Sequence, residues 1–158
     1  MRNDAAYRLA RIHFQKGQVR DALRALDRID GKVPDSIRDD IDFLRANVRL
    51  AEGRADLAVD ILRRLQGSDE FGAFAAYNLG IALLATGQQT AAYEQLDRAG
   101  QREVRADDEQ AIRDKANLVL GTKLLDADEY EAAQPYLNRV RLDGPFSNQA
   151  LLSAGWAS

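Results

Sequence analysis

One helix-turn-helix sequence pattern occurs four times along this chain, and this repetition constrains the fold more than any other feature of the sequence. Each copy opens with a helical segment that has a small residue in second place and a turn residue at its end. The segments are residues 9–17, 45–53, 79–87 and 120–128, with small residues Ala10, Ala46, Gly80 and Gly121 and turn residues Gly17, Gly53, Gly87 and Asp128. Such repetition is typical of a helical array, in which a hairpin buries its apolar stripe only against its neighbours.

A second helix is predicted after each turn, because alanine and leucine follow at a spacing of four residues. The pairs are Ala22 and Leu26, Ala58 and Leu62, Ala92 and Leu96, and Ala133 and Leu137. Residues four apart share one helix face. The small residues of the first helix should let it approach the second closely, and each alanine of the second should admit the next helix. An arginine stands two places after each leucine, at Arg28, Arg64, Arg98 and Arg139, on a face predicted to be solvated.

The repeat length connects the pattern to a known family. The turn residues at 17, 53, 87 and 128 are 36, 34 and 41 positions apart, and Pro34 and Pro145 close the first and fourth copies. The chain therefore resembles the tetratricopeptide repeat family over nearly its whole length. The resemblance implies an all-α fold, an α-α superhelix (solenoid) of tetratricopeptide-like helix-turn-helix repeats. It implies one domain over residues 1–158, with repeats at about 3–36, 39–70, 73–104 and 114–147 and the first helix of a fifth at 148–158.

The chain also departs from the family pattern. The usual tryptophan place holds Ala6, Asp42, Ala76 and Asn117, and Arg45 stands where leucine is usual. The first two repeats are therefore degenerate.

Three irregular places carry further predictions. The excess in the third spacing falls between Gly100 and Asp114, where helix-forming residues predict lengthened helices, a short polar turn and a new helix starting near Asp107. Pro135 predicts a late start or a local kink in the second helix of repeat four. Residues 148–158 lack a partner helix, so we expect a piece of a longer protein whose uncapped last helix promotes self-association.

Composition excludes several classes of partner. The net charge is −3, with 22 basic residues scattered among 25 acidic ones, which disfavours a nucleic-acid ligand. The polar N-terminal residues contain no membrane-spanning run, so direct membrane insertion is not expected. The absence of cysteine excludes disulfides and thiolate sites but leaves the cellular compartment open.

The sequence offers little for catalysis. The single histidine, His13, occupies the large-residue place of a helix and is interpreted as packed or half-buried. We find no spacing typical of a metal site and no glycine-rich phosphate loop. We therefore predict no catalytic, cofactor-binding or metal-binding residues and no enzyme activity.

Positions that point into the concave groove in the tetratricopeptide family form the candidate binding site. By this resemblance they are Tyr7, Phe14, Phe43, Asn47, Phe74, Tyr77, Ile81, Leu118 and Trp156. An apolar stripe of this size either meets a protein or peptide partner or packs internally. Family members that grip a C-terminal carboxylate use lysines in this row, where this chain has Tyr7 and Phe43, so an apolar helix or extended segment is the expected ligand.

Two functions follow from these readings. The first is a non-catalytic scaffold that binds a peptide or helix of a partner in its groove. The alternative is an architectural or self-association module in a longer polypeptide, with the groove filled by its own chain.

Overall fold

The computed structural model describes residues 2–141, and this part of the chain is all-α, as predicted. It contains eight helices and no strand. These are α1 (Arg2–Gln15), α2 (Val19–Asp27), α3 (Asp35–Ala51), α4 (Ala55–Leu65), α5 (Gly72–Ala85), α6 (Gln89–Gln101), α7 (Asp107–Asp126) and α8 (Tyr130–Asn138). The chain divides into two compact units, Met1–Ala75 and Ala76–Ser158, called unit 1 and unit 2 below.

The four predicted turn residues all lie in the left-handed backbone region. Gly17, Gly53 and Gly87 have φ angles of 75°, 85° and 77°, and Asp128 has φ 62°. Glycine adopts this region without the steric cost that a Cβ imposes, and aspartate tolerates it better than most residues. The next helix begins two residues after each turn, at Val19, Ala55, Gln89 and Tyr130.

The core of unit 1 is built from the small and leucine positions of the repeat. Ala10, Ala22 and Leu26 are almost completely buried, and Ile41 and Val48 of α3 join the same cluster. Because alanine is small, α1 and α2 approach closely at Ala10. Ala46, Ala58 and Leu62 are completely buried in the second hairpin.

Unit 2 uses glycine at the same close approach. A Cβ added at Gly80 would lie 2.6 Å from Leu96 Cδ2, and one added at Gly121 would lie 2.6 Å from Leu137 Cδ2. Each glycine contacts the leucine 16 positions later, which is Leu96 for Gly80 and Leu137 for Gly121. The close approach of the two helices predicted at the small residues is therefore present in both hairpins of this unit, and a leucine is the side chain that each glycine meets.

The connection between α6 and α7 confirms the prediction made for the long third spacing. Helix α6 ends at Gln101, and α7 begins at Asp107 and runs for 20 residues. Asp107, Asp108 and Glu109 form the first turn of α7, where negative charge is favoured by the helix dipole.

Of the two outcomes predicted for Pro135, the late helix start is wrong, and the local kink stays a prediction. Helix α8 begins at Tyr130, as close to its turn as the other second helices, and Pro135 lies inside it. Proline has no N–H to donate to the carbonyl of Glu131, and its exposed position leaves that carbonyl access to solvent.

Two polar side chains of α7 are completely buried. Asn117 Nδ2 donates hydrogen bonds to the carbonyl of Gly100 (3.0 Å) and to that of Arg113 (3.2 Å). Asp114 forms an ion pair of 2.7 Å with Arg141 Nε. A Cβ at position 100 would overlap the Asn117 amide, so glycine is needed there.

Candidate functional site

Four of the predicted groove residues gather around one cavity in unit 1, which we call the unit 1 cavity. Tyr7, Arg11 and Phe14 lie on one face of α1, at spacings of four and three residues, and Phe43 and Asn47 repeat that spacing on α3. The cavity has a volume of about 350 Å³. Its remaining lining residues are Gln15, Asp40, Leu44, Glu70 and Phe71.

Glu70 and Phe71 were not predicted as site residues. They lie in the connection between α4 and α5, outside the register of the helical repeat. Ser68 Oγ accepts a hydrogen bond of 3.2 Å from the Phe71 N–H, as the side chain of a helix N-cap does. A serine three residues before an aromatic residue at the start of a helical run is the sequence signal that could have identified this turn.

The aromatic side chains of this region contact one another. The rings of Phe43 and Phe71 stack with centroids 4.8 Å apart and an interplanar angle of 22°. Phe74, a predicted groove residue that does not line the cavity, packs edge-on against Phe43 at 6.4 Å. Offset stacking and edge-to-face packing are the favourable arrangements of aromatic rings, so this wall of the cavity is fixed by its own contacts.

The electrostatic surroundings of Tyr7 are asymmetric. Burial raises the pKa of the Tyr7 phenol above its ordinary value of 10.0, and the negative charges of Asp40 and Glu70 raise it further. Arg11 opposes this through its charge and a hydrogen bond. The two carboxylates therefore make one side of the cavity negative. Arg11 is the one cation among the described residues that line it.

In unit 2 the described groove residues belong to the core cluster or pack against it. Tyr77 is only 6% exposed and belongs to the core cluster, and burial raises the pKa of its phenol. Lys115 Nζ lies 5.1 Å from the centre of the Tyr77 ring, within cation–π range. Ile81 and Leu118 are partly buried against the same cluster. Trp156 lies outside the described residues.

The single histidine of the chain lies among the described residues. His13 is half-buried on α1, and its Nδ1 lies 2.7 Å from Gln18 Oε1. Within residues 2–141 no group of three or more acidic or histidine side chains is placed to hold a metal ion. No helix in that range combines the length and the apolar character needed to cross a bilayer.

Comparison with known proteins identifies the repeat. A family model described as a tetratricopeptide repeat matches residues 4–36, which contain most of α1, all of α2 and the first two residues of α3. The first predicted repeat, at about residues 3–36, thus matches a tetratricopeptide repeat, as the resemblance implied. Repeats of this family generally mediate protein–protein interactions and are typically not catalytic. A search of curated proteins finds no match for this chain.

Proposed function

We propose that this protein is a non-catalytic scaffold that binds a peptide or a helix of a partner protein along the groove face of its first helices. The observation that supports the proposal is the unit 1 cavity, because Tyr7, Phe14, Phe43 and Asn47, predicted from the repeat register, line one concave space. Pockets of a few hundred Å³ with aromatic walls and a few polar groups are typical of ligand sites. The stacking of all hairpins into one α-α superhelix over residues 1–158 is part of this proposal.

A selection from a displayed random-peptide library tests the proposal directly. Peptides selected on the full chain should lose affinity for the Tyr7→Ala and Asn47→Ala variants, because both side chains line the cavity and are only half-buried. Ile12→Ala is the matched control, since Ile12 is 48% exposed on α1 and does not line the cavity. Failure to recover any peptide, or binding that all three variants leave unchanged, would count against a groove function.

A second function is favoured by the packing of Tyr77. Its burial supports an architectural or self-association module, in which the groove positions of unit 2 are occupied by the protein's own side chains. Tyr77 is unsuitable for testing partner binding, because truncating a core tyrosine would destabilise the fold. Sedimentation over a range of concentrations separates the two functions: self-association without peptide binding supports the second.

A further inference from the structure

The chemistry of the unit 1 cavity favours one class of side chain over others. Four aromatic side chains line it, from Tyr7, Phe14, Phe43 and Phe71, together with the carboxylates of Asp40 and Glu70. Aromatic faces carry negative electrostatic potential and attract cations, and the guanidinium group of arginine also stacks on them as a planar group. The rings and the carboxylates of this cavity therefore both attract a cationic ligand.

The charges around the cavity are not balanced within the chain. Two carboxylates and one guanidinium line it, which leaves one negative charge in excess. Arg11 interacts with the Tyr7 phenol, but within residues 2–141 it forms no ion pair with Asp40 or Glu70. Asp40 is half-buried, so covering it with an uncharged group would remove its remaining hydration without a partner in exchange.

We propose that the unit 1 cavity receives an arginine side chain from the partner segment, with its guanidinium between the aromatic rings and the carboxylates of Asp40 and Glu70. This inference rests on the proposed peptide-binding function and names the chemistry that the cavity selects. An acidic side chain would meet two like charges, and a purely apolar one would desolvate Asp40. The guanidinium of an arginine can stack on the aromatic rings and also pair with the carboxylates.

Substitutions at different residues of the cavity should have opposite effects on arginine binding. Asp40→Asn and Glu70→Gln remove one negative charge each and should weaken arginine binding. Arg11→Gln removes the competing cation and should strengthen it. Charge pairs at partly exposed sites imply changes of roughly 3- to 10-fold in the dissociation constant, smaller at high salt.

Three blocked alanine peptides that differ only in their central residue provide the probes. The central residue is arginine, citrulline or leucine; citrulline has the shape of arginine without its charge. Each peptide is titrated into the isotope-labelled full chain, and the dissociation constant is taken from the chemical shifts of Tyr7 and Phe43. Asp60→Asn serves as control, because Asp60 is an exposed carboxylate of α4 that does not line the cavity.

We expect the arginine peptide to bind about tenfold more tightly than the citrulline peptide, with both carboxylate variants weaker, Arg11→Gln tighter and Asp60→Asn unchanged. Equal binding of arginine and citrulline, or tighter binding of leucine, overturns the arginine site. If, in that case, the leucine peptide binds the unmodified chain but not the Tyr7→Ala variant, the proposed groove-binding function is still supported. Absence of binding by all three peptides overturns the arginine site, and the library selection then decides separately on the groove function. Should Asp40→Asn fail to fold, the exposed Glu70 gives the same test.

Discussion

Replacing Gly80 by alanine measures how tightly α5 and α6 are packed. The new Cβ would lie 2.6 Å from Leu96 Cδ2 and 2.7 Å from Leu96 Cγ. Carbon atoms in contact rest about 3.5–4.0 Å apart, so Leu96 would have to move by about 1 Å. Leu96 is completely buried, and its neighbours would have to move as well.

Two opposing effects set the size of the change. Alanine is favoured over glycine in a helix interior by about 1 kcal/mol, which would stabilise the variant. Overpacking a core typically costs about 1–3 kcal/mol. We therefore expect Gly80→Ala to lower the free energy of unfolding by up to about 2 kcal/mol, with overpacking the larger effect because both clashing atoms belong to a fully buried side chain.

Urea unfolding followed by far-ultraviolet circular dichroism gives the free energies. Gly67→Ala is the matched control, because its new Cβ would meet only the Arg64 carbonyl oxygen at 3.9 Å, an ordinary contact. In a Leu96→Ala background the clash is absent, so Gly80→Ala should become stabilising through helix propensity alone. The same destabilisation with and without Leu96, or stabilisation in the unmodified chain, would refute the packing argument.

Four further variants test backbone geometry and the cavity. Gly53→Ala should cost about 1–2 kcal/mol in urea unfolding because φ is 85° with no neighbour to clash, whereas Asp128→Gly should be neutral or stabilising by up to about 1 kcal/mol. Pro135→Ala restores a hydrogen-bond donor inside α8 and should raise the melting temperature; a lower one would contradict the account of this helix. Asp40→Asn should lower the raised pKa of Tyr7 toward 10.0 in a phenolate absorbance titration. Because the pKa of Tyr7 is raised by folding, its contribution to stability is complete below about pH 10 and is lost as pH rises through the raised value.

The helical framework could be predicted from the sequence because it repeats. The four turn residues and the close approach at each small residue recur at similar spacings. Gly80 and Leu96 illustrate this, since the same offset recurs at Gly121 and Leu137. Periodicity expresses such contacts directly. The start of α7 at Asp107 is predicted instead by the helix-forming residues around it.

The remaining features depend on contacts that no period encodes. Glu70 and Phe71 reach the unit 1 cavity from a connection outside the repeat register, held there by the hydroxyl of Ser68. The register places Tyr77 in the same row as Tyr7, but only packing decides that Tyr77 is buried and that Tyr7 lines a cavity. The ion pair between the buried Asp114 and the half-buried Arg141 joins residues 27 positions apart.

The ion pair between Asp114 and Arg141 also determines how far the chain can be trimmed from its C-terminal side. Helix α8 ends at Asn138, and a boundary drawn there would look natural from the secondary structure. Asp114 is completely buried in the intact chain, and such a cut would remove the guanidinium that pairs with its carboxylate, so the truncated chain should be less stable. A minimal version of this protein therefore has to retain Arg141, three residues beyond its last described helix.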